Sequence, residues 1–367
     1  MFPYLDVKLY PLDRGQCSEI QGPEIHLHEF LILQQFWTIL IGFPGESETN
    51  WMQVRVLYHD HCFDGAASAA FFSRFLKETR APGADYTYTG MAHTADQIFT
   101  ESMFDGDINA IVDFKYSPSE RLTWWFDHHQ SAFLKPEDAT QFYSQKNPLH
   151  FFDPAYKSCT KFIHDIARDK FGYQAPSMEE LVRWADIIDG AQYASPQEAV
   201  ELKAPATKLV LVIEAVKGSA MVQRIIRAMQ EMTLEEIVKL PEIAEAFAPL
   251  YQRHLKSIDL IRDRAETRDG VIFFDLIGQD LEGYNKFVPY YLFPDSTYTV
   301  SVSESTFRTK VSVGSSPWAH EVNHNLATIC ERYGGGGHPR VGAISFPIGA
   351  VADARKAAGE ILDELRS

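Results

Sequence analysis

The chain predicts an α/β protein of two domains. An N-terminal, mainly parallel sheet with helices on both faces comes first, then a helical linker, then a smaller C-terminal α/β domain with a mixed sheet. Three observations carry this expectation. A length of 367 residues exceeds one ordinary domain and suggests about two of ~150 residues each. From Met52 to about residue 216, short β-type runs alternate with helix-type segments, the pattern of βα units. After a stretch with no strand pattern, alternating runs return near residue 269.

Composition narrows the class. Hydrophobic residues make up 45% and charged residues 23% of the chain, which excludes intrinsic disorder as a general description. Lys and Arg number 34 against 50 Asp and Glu, a formal net charge of −16. So acidic a protein is a poor fit to long duplex nucleic acid, which favours positive surfaces. A small anion remains open if metal ions or a few local cations supply the charge. Cys17, Cys62, Cys159 and Cys330 are far apart and form no CxxC pair, which argues against a disulfide framework and suits a reducing cytoplasm. The longest apolar run, Phe30 to Phe43, is broken by Gln34-Gln35 and is too short to span a bilayer. No basic stretch with a small-residue cleavage site opens the chain, so no signal peptide is expected.

Residues 1–51 are irregular, with Pro3, Pro11, Pro23 and Pro44 scattered through them. Either translation begins at Met52, or the segment is an added arm that packs on the body or a partner. Residues 52–216 form the first domain. Val54, Val56 and Tyr58 alternate in a first strand, and Gly65 to Arg80 is Ala/Phe/Leu-rich and helical. Ile108 to Asp113 is a second strand, Ser117-Pro118 with Glu120 reads as a helix start, and Trp124-Trp125-Phe126 is a third apolar run. Residues 217–268 carry Met, Ile, Leu and Glu at helical spacing, interrupted by Pro241 and Pro249, and form the linker. In 269–367, Val271 to Phe274 and Thr297 to Ser303 are strands, Asn325 to Tyr333 is a short helix, and Val351, Ala354, Ala358, Ile361 and Leu365 share a terminal helix face.

The chemistry gathers at strand ends. Tyr58 is followed by His59, Asp60, His61, Cys62 and Asp64, then Gly65. Five potential metal ligands thus follow the first strand, where Gly65 permits a tight turn and Asp64 could simply cap the helix. The second strand ends at Asp113, and the third run ends in Asp127-His128-His129. In a parallel sheet such ends converge. Mixed carboxylate and imidazole ligands suit Mn²⁺, Fe²⁺, Co²⁺ or Zn²⁺. With Asp113 central, the set suits two ions ~3.5–4 Å apart that clamp a phosphoryl group.

His59-x-x-Cys62-x-Asp64-Gly65, Val112-Asp113-Phe114 and Asp127-His128-His129 resemble the DHH phosphoesterase superfamily. Gly334 to Gly337 with His338 resembles the signature of its DHH-associated C-terminal domain. The resemblance runs from Met52 to the end and matches a cysteine-bearing branch. It implies a hydrolase with two metals, usually Mn²⁺ and otherwise Co²⁺, Fe²⁺, Mg²⁺ or Zn²⁺, and a cleft between two domains. Carried across, His59, Cys62, Asp64, Asp113, Asp127, His128 and one downstream Asp are the metal ligands. Asp113 bridges, Asp127 ligates or orients, and His129 sits near the scissile phosphate. Cys62 stands where many relatives have Asp, which shifts metal preference toward softer ions or weakens one site. His59 is one residue out of register with the common pattern.

Leu181, Trp184, Ala185 and Ile188 mark one buried helix face. Asp189 lies at its edge and Asp186 points away, so Asp189 is preferred as the downstream ligand. Gly335, Gly336 and Gly337 bring backbone N–H groups close to an anion, with His338, Arg340 and Arg308, read as lying on a preceding strand, as substrate-binding residues. Lys115 either touches phosphate or is solvated. The chain holds 16 Tyr, 25 Phe and 6 Trp; some could stack on bases, but the sequence does not pick them. His93, His150, His164, His254, His320 and His324 lack ligand spacing. The expected function is a cytoplasmic metal-dependent phosphoesterase on short single-stranded oligonucleotides or small nucleotide esters. It has no membrane partner and could form a homodimer. The alternatives are a polyphosphate or pyrophosphate hydrolase and a non-catalytic nucleotide sensor.

Overall fold

The computed structural model describes residues 51–92, 99–279, 281 and 283–367. The irregular N-terminal segment, except Trp51, and His93 lie outside them. The first sheet has five strands in the order β2-β1-β3-β4-β5. They are β1 (Gln53–His59), β2 (Asp85–Met91), β3 (Ile108–Val112), β4 (Trp124–Asp127) and β5 (His150–Phe152), and every pairing is parallel. β2 was not anticipated from the sequence. It takes the sheet edge beside β1, so the strands with chemical motifs, β1, β3 and β4, become direct neighbours. The chain leaves β1 on one side and returns on the other. Open α/β sheets bind ligands at such a reversal, beyond the carboxyl ends of the strands.

One face of this sheet is closed by helices. α1 (Phe63–Thr79) is the longest of them on that face, and its Ala66, Ala69, Ala70, Phe72 and Phe75 are buried. The other face holds Leu57, Ile111 and Trp125 against Phe104, Phe114, Tyr116, Leu122 and Phe142. That face is covered mainly by connecting segments, with α2 (Pro136–Gln145) and a 3₁₀ turn at Glu101–Met103. The helix expected at Ser117-Pro118 is a turn. Tyr116 N–H donates to Ala132 O and Leu122 N–H to Ser119 O. The Ser119 hydroxyl holds Glu101. These ties hold the few residues before β4 in a turn and leave too short a run for a helix.

Further helices follow: α3 (Cys159–Phe171), α4 (Glu179–Asp189), α5 (Pro196–Val200), α6 (Pro205–Ala215), α7 (Ala220–Met229), α8 (Leu234–Ile237) and α9 (Pro241–Arg264). Pro241 stands in the first turn of α9, where a missing N–H costs nothing, but α9 runs on through Pro249. One continuous core joins Val54 and Phe126 through these helices to Ile272 and Phe274.

Those last two belong to the second sheet, six strands in the order β10-β11-β9-β8-β7-β6. They are β6 (Glu266–Arg268), β7 (Val271–Asp275), β8 (Tyr298–Glu304), β9 (Thr309–Ser315), β10 (Gly336–His338) and β11 (Val341–Phe346). Only β7 and β8 pair parallel; the rest are antiparallel. The sheet is therefore mixed, as the sequence predicts. Between β7 and β8 lies α10 (Val288–Leu292). Val300, Val302, Val311 and Val313 pack against α11 (Leu326–Glu331) and α12 (Val351–Leu365). The alternate residues Thr299, Ser301 and Ser303 sit opposite Gly314, Ser312 and Lys310 and form a polar face on the other side.

Candidate metal centre

Three strand ends and one helix end meet. β1 delivers His59, β3 leads into Asp113, and β4 ends on Asp127 before His128 and His129. Asp113 has φ 56, a left-handed conformation that Asp tolerates better than most residues. That turn sends its carboxylate across the top of the sheet while its N–H still bonds to Phe126 O at 2.9 Å. Asp113 Oδ2 lies 3.3 Å from His59 Nδ1, and Oδ1 lies 3.3 Å from His128 Nε2 and 3.9 Å from His129 Nδ1. His128 Nε2 is also 3.5 Å from Asp189 Oδ2 and 3.7 Å from Asp64 Oδ2. Donor atoms fall into three overlapping groups, His59/Cys62/Asp113, Asp113/His128/His129 and Asp64/His128/Asp189, with atoms within 4.8 Å in each.

Asp64 lies inside α1, where Cys62 is the N-cap residue. Its carboxylate caps α3 instead, accepting from Cys159 N at 2.6 Å and from Thr160 N and Oγ1 at 3.0 and 2.6 Å. Gly65 has no turn role, since it too is helical. It is required by closeness: a Cβ there would stand 2.0 Å from the His59 carbonyl oxygen. Asp127 belongs to none of the three donor groups. Its Oδ1 accepts from the N–H of His128 and His129 and meets His129 Nδ1 at 2.7 Å, so it orients the motif.

Two of the five ligand types after β1 are turned elsewhere. Asp60 accepts from Tyr58 OH at 3.2 Å, from His61 N at 2.9 Å and from the Ser219 hydroxyl. His61 Nδ1 meets Ile213 O at 3.2 Å. His61 thus pins the loop to the last turn of α6, and Asp60 pins it to the segment joining α6 and α7. Asp189 faces His128, while Asp186 accepts from the hydroxyl of Ser158, the residue capping α3.

Asp113 Oδ1, Asp127 Oδ2 and His128 Nε2 are buried and lack hydrogen-bond partners. Asp113 and His128 belong to the donor groups, and a carboxylate and an imidazole that converge there without hydrogen-bonding geometry face a common centre, which is the donor chemistry of a divalent cation. The electrostatics agree. Burial and the charges of Asp113 and Asp189 push Asp64 well up, and burial with Asp113 pushes Asp189 up to about 6. Burial opposes ionisation of Asp113, yet His128 and His59 beside it hold its carboxyl well below the usual range. Burial likewise opposes charging of His128 and His129, but Asp113 and its neighbours raise the first to about 10, and Asp127 the second to about 9. Burial, then Asp113, Asp189 and Asp64, hold the Cys62 thiol protonated. Protons thus occupy this site when cations do not.

The fold is shared with known enzymes. The pGpG-specific phosphodiesterase PggH from Vibrio cholerae superposes with TM-score 0.63 at 16% identity, covering 86% of this chain and 99% of its own. RecJ from Thermus thermophilus, in complex with Mn²⁺, superposes with TM-score 0.53 at 14% identity and covers 85% of this chain. Both belong to the DHH superfamily. This chain has the same fold as both. It spans 52% of the RecJ chain. No sequence-family model matches it, and no curated protein matches it by sequence.

The C-terminal residues singled out in the sequence are spread out. The second half of the glycine run is strand: Gly336–His338 is β10, paired with β11. A Cβ at Gly335 would come 2.3 Å from Ala343 O, and one at Gly337 2.2 Å from Val341 O, so close strand packing demands these glycines. Gly334 and Gly335 donate their N–H groups to Glu331 O and Cys330 O at the end of α11, so the Gly335 N–H expected for an anion is already used. Arg308 lies in the turn before β9, not on a strand, and holds Ser345 Oγ at 2.9 Å. His338 is exposed. Arg340 alone of this set lines a cavity shared with Gly190, the residue after Asp189. Lys115 is half-buried just past Asp113. His150, His164 and His254 hold Leu122 O, Asp165 and Val200 O, as packed structural residues do. Among the described residues no helix is long and apolar enough to cross a membrane.

Asp189 gives a stability test. A folded pKa near 6 lies above the unfolded value of ~4, so the native state binds more protons between them. Stability in chelator should fall as pH rises through that window. Asp189→Asn should therefore be more stable than wild type in EDTA at pH 7.5, and the gap should close by pH 4.5. With saturating Mn²⁺ the order should reverse. Urea midpoints at the two pH values measure this, and no gain at pH 7.5 in EDTA would refute the like-charge account.

Proposed function

We propose that the protein is a metal-dependent phosphoesterase that hydrolyses short linear oligonucleotides or small nucleotide phosphate esters. The observation that carries the reading is Asp113, whose Oδ2 faces His59 and whose Oδ1 faces His128 and His129. Such a carboxylate suits two cations side by side. His59, Cys62 and Asp113 would hold one, and Asp64, Asp113, His128 and Asp189 the other, with Mn²⁺ the expected ion. Bound cations would activate water at neutral pH and draw charge from the phosphoryl oxygens. Asp127 meets His129 Nδ1 at 2.7 Å and fixes the ring, which leaves Nε2 as the atom that would give a proton to the leaving oxygen. Arg340, beside the Asp189 turn, would hold the non-reacting end.

The fold shared with a pGpG phosphodiesterase supports a dinucleotide-sized substrate. A net charge of −16 disfavours long strands, since only local cations would hold them. Product release should be measured in Mn²⁺ on a linear dinucleotide, a nucleoside 3′,5′-bisphosphate, a cyclic dinucleotide and polyphosphate. The expected result is fastest turnover of the dinucleotide. Turnover of polyphosphate alone would move the protein to the polyphosphatase reading. Silence across the panel from folded, metal-loaded protein would leave a sensor.

A further inference from the structure

The donors Asp64, His128 and Asp189 come from three separate elements: α1, the end of β4, and α4. One segment, residues 153–160, reaches all three. It leaves β5 and enters α3.

It opens on Asp153, whose N–H bonds to Asp127 O at 3.3 Å and so ties it to the strand that delivers His128. Asp153 Oδ1 accepts from Ala155 N at 2.9 Å, and Tyr156 N–H returns to Asp153 O at 3.4 Å. This is an Asx turn, with Pro154 inside it holding φ by its ring. The turn brings Tyr156 O to 3.2 Å from His128 Nδ1. A carbonyl only accepts, so Nδ1 carries a proton and Nε2 is left to face Asp113, Asp189 and Asp64. The Tyr156 ring packs on Phe162 at 4.7 Å, and its hydroxyl bonds Asp165 at 3.3 Å, which anchors the turn on α3.

The segment ends on the opposite kind of group. Cys159 N and Thr160 N donate to the Asp64 carboxylate at 2.6 and 3.0 Å, with Thr160 Oγ1 at 2.6 Å. Between the two ends, Ser158 Oγ donates to Asp186 Oδ1 at 3.3 Å, one turn before Asp189 on α4. The imidazole meets a carbonyl, the carboxylate meets N–H donors, and the helix of the third ligand is held by a hydroxyl. Each contact has the sign its ligand needs. Metal-binding groups depend on such outer partners for their orientation.

We propose that residues 153–160 are the positioning segment of this donor group, with Asp153 setting the His128 ring and Thr160 the Asp64 carboxylate. Both act through a ligand and neither is a catalytic residue. The inference rests on the phosphoesterase reading for its effect on turnover; the set of the His128 ring belongs to the metal-free protein.

The test uses two pairs of variants. Asp153→Ala removes the acceptor that makes the turn, and Asp153→Asn keeps it. Thr160→Val removes the hydroxyl at nearly constant shape, and Thr160→Ser keeps it. Nitrogen-15 NMR of labelled histidine in EDTA reads the first pair without any metal, the His128 signal being assigned by its absence from His128→Gln. Wild type should show an Nδ1–H protected from exchange with water. Asp153→Ala should exchange it about 10-fold faster, the worth of one hydrogen bond, while Asp153→Asn and both Thr160 variants keep it. Asp153→Ala and Thr160→Val should each weaken Mn²⁺ binding about 10- to 100-fold, with Asp153→Asn and Thr160→Ser restoring it. A merely structural role would lower the urea midpoint of Asp153→Ala and move neither reading. No protected Nδ1–H in wild type, an unchanged one in Asp153→Ala, or wild-type Mn²⁺ affinity retained in both Asp153→Ala and Thr160→Val would overturn the proposal. Dinucleotide turnover in Mn²⁺ is read separately. An Nδ1–H lost in Asp153→Ala and kept in Asp153→Asn, in a protein without turnover, removes the phosphoesterase reading and keeps the positioning segment; turnover with an Nδ1–H indifferent to position 153 does the reverse.

Discussion

Asp113→Asn should abolish Mn²⁺-dependent hydrolysis, by at least about 10³-fold, and weaken Mn²⁺ binding by at least about 100-fold. Changes one shell away from a metal already cost about 10- to 100-fold, and Asp113 faces the donors on both sides of the site. Asparagine is the right replacement because position 113 sits at φ 56. Asn tolerates that region, whereas Ala would add about 1–2 kcal/mol of strain and confuse a folding defect with a chemical one. The variant keeps the size of the side chain and loses one negative charge. His128 then loses the carboxylate that chiefly holds its proton, and His129 loses a second one beside Asp127, so both should titrate lower in the apo variant, His128 the more. Proton NMR of the imidazoles in EDTA reads that shift, and Mn²⁺ titration followed by paramagnetic relaxation reads the binding. A variant that folds like wild type and still binds Mn²⁺ as tightly would remove Asp113 from the centre of the site.

The sequence was most legible where it needed least three-dimensional knowledge. His59, Asp113 and Asp127-His128-His129 each follow a short β-type run, and in a parallel sheet ends point the same way. Their adjacency depended on β2, whose residues Tyr86 to Thr89 alternate weakly, taking the outside edge. Ligand-type residues beyond the strand ends were less legible, because residue type does not give direction. Asp60 and Asp64 are four residues apart, yet one bonds Ser219 and the other caps α3 at Cys159 and Thr160. Both partners lie about 95 or more residues downstream, where no local pattern reaches. The glycine run misled for a related reason. Glycine signals freedom or closeness alike, and at Gly335 and Gly337 it is closeness to β11 that decides. The support from residues 153–160 was invisible, since it acts largely through the backbone groups of Tyr156, Cys159 and Thr160, which residue type does not show.

Gly65→Ala should have the largest structural effect of any single methyl in this chain's first motif. The added Cβ would lie 2.0 Å from His59 O and 2.9 Å from His59 Cβ. Both groups are fixed: His59 ends β1 beside β2 and β3, and Gly65 lies in the first turn of α1. Neither can give way as the tip of a long side chain does, so strand and helix must part by about 1 Å or more. Overpacking of this kind costs about 1–3 kcal/mol. The same movement displaces His59, Cys62 and Asp64 together, and a 1 Å error in a reacting constellation costs about 10²-fold in rate. Gly359→Ala is the matched comparison. Gly359 also lies in a helix, but a Cβ there meets nothing within 4 Å. Helix propensity then dominates, and the variant should gain about 0.5–1 kcal/mol. The same chemical change should thus carry opposite signs at the two positions, read by urea denaturation of both, and only Gly65→Ala should lower turnover and Mn²⁺ affinity. Equal stability of the two variants would mean that α1 and β1 slide freely at the site, and the positions of His59, Cys62 and Asp64 would then not be set by this contact.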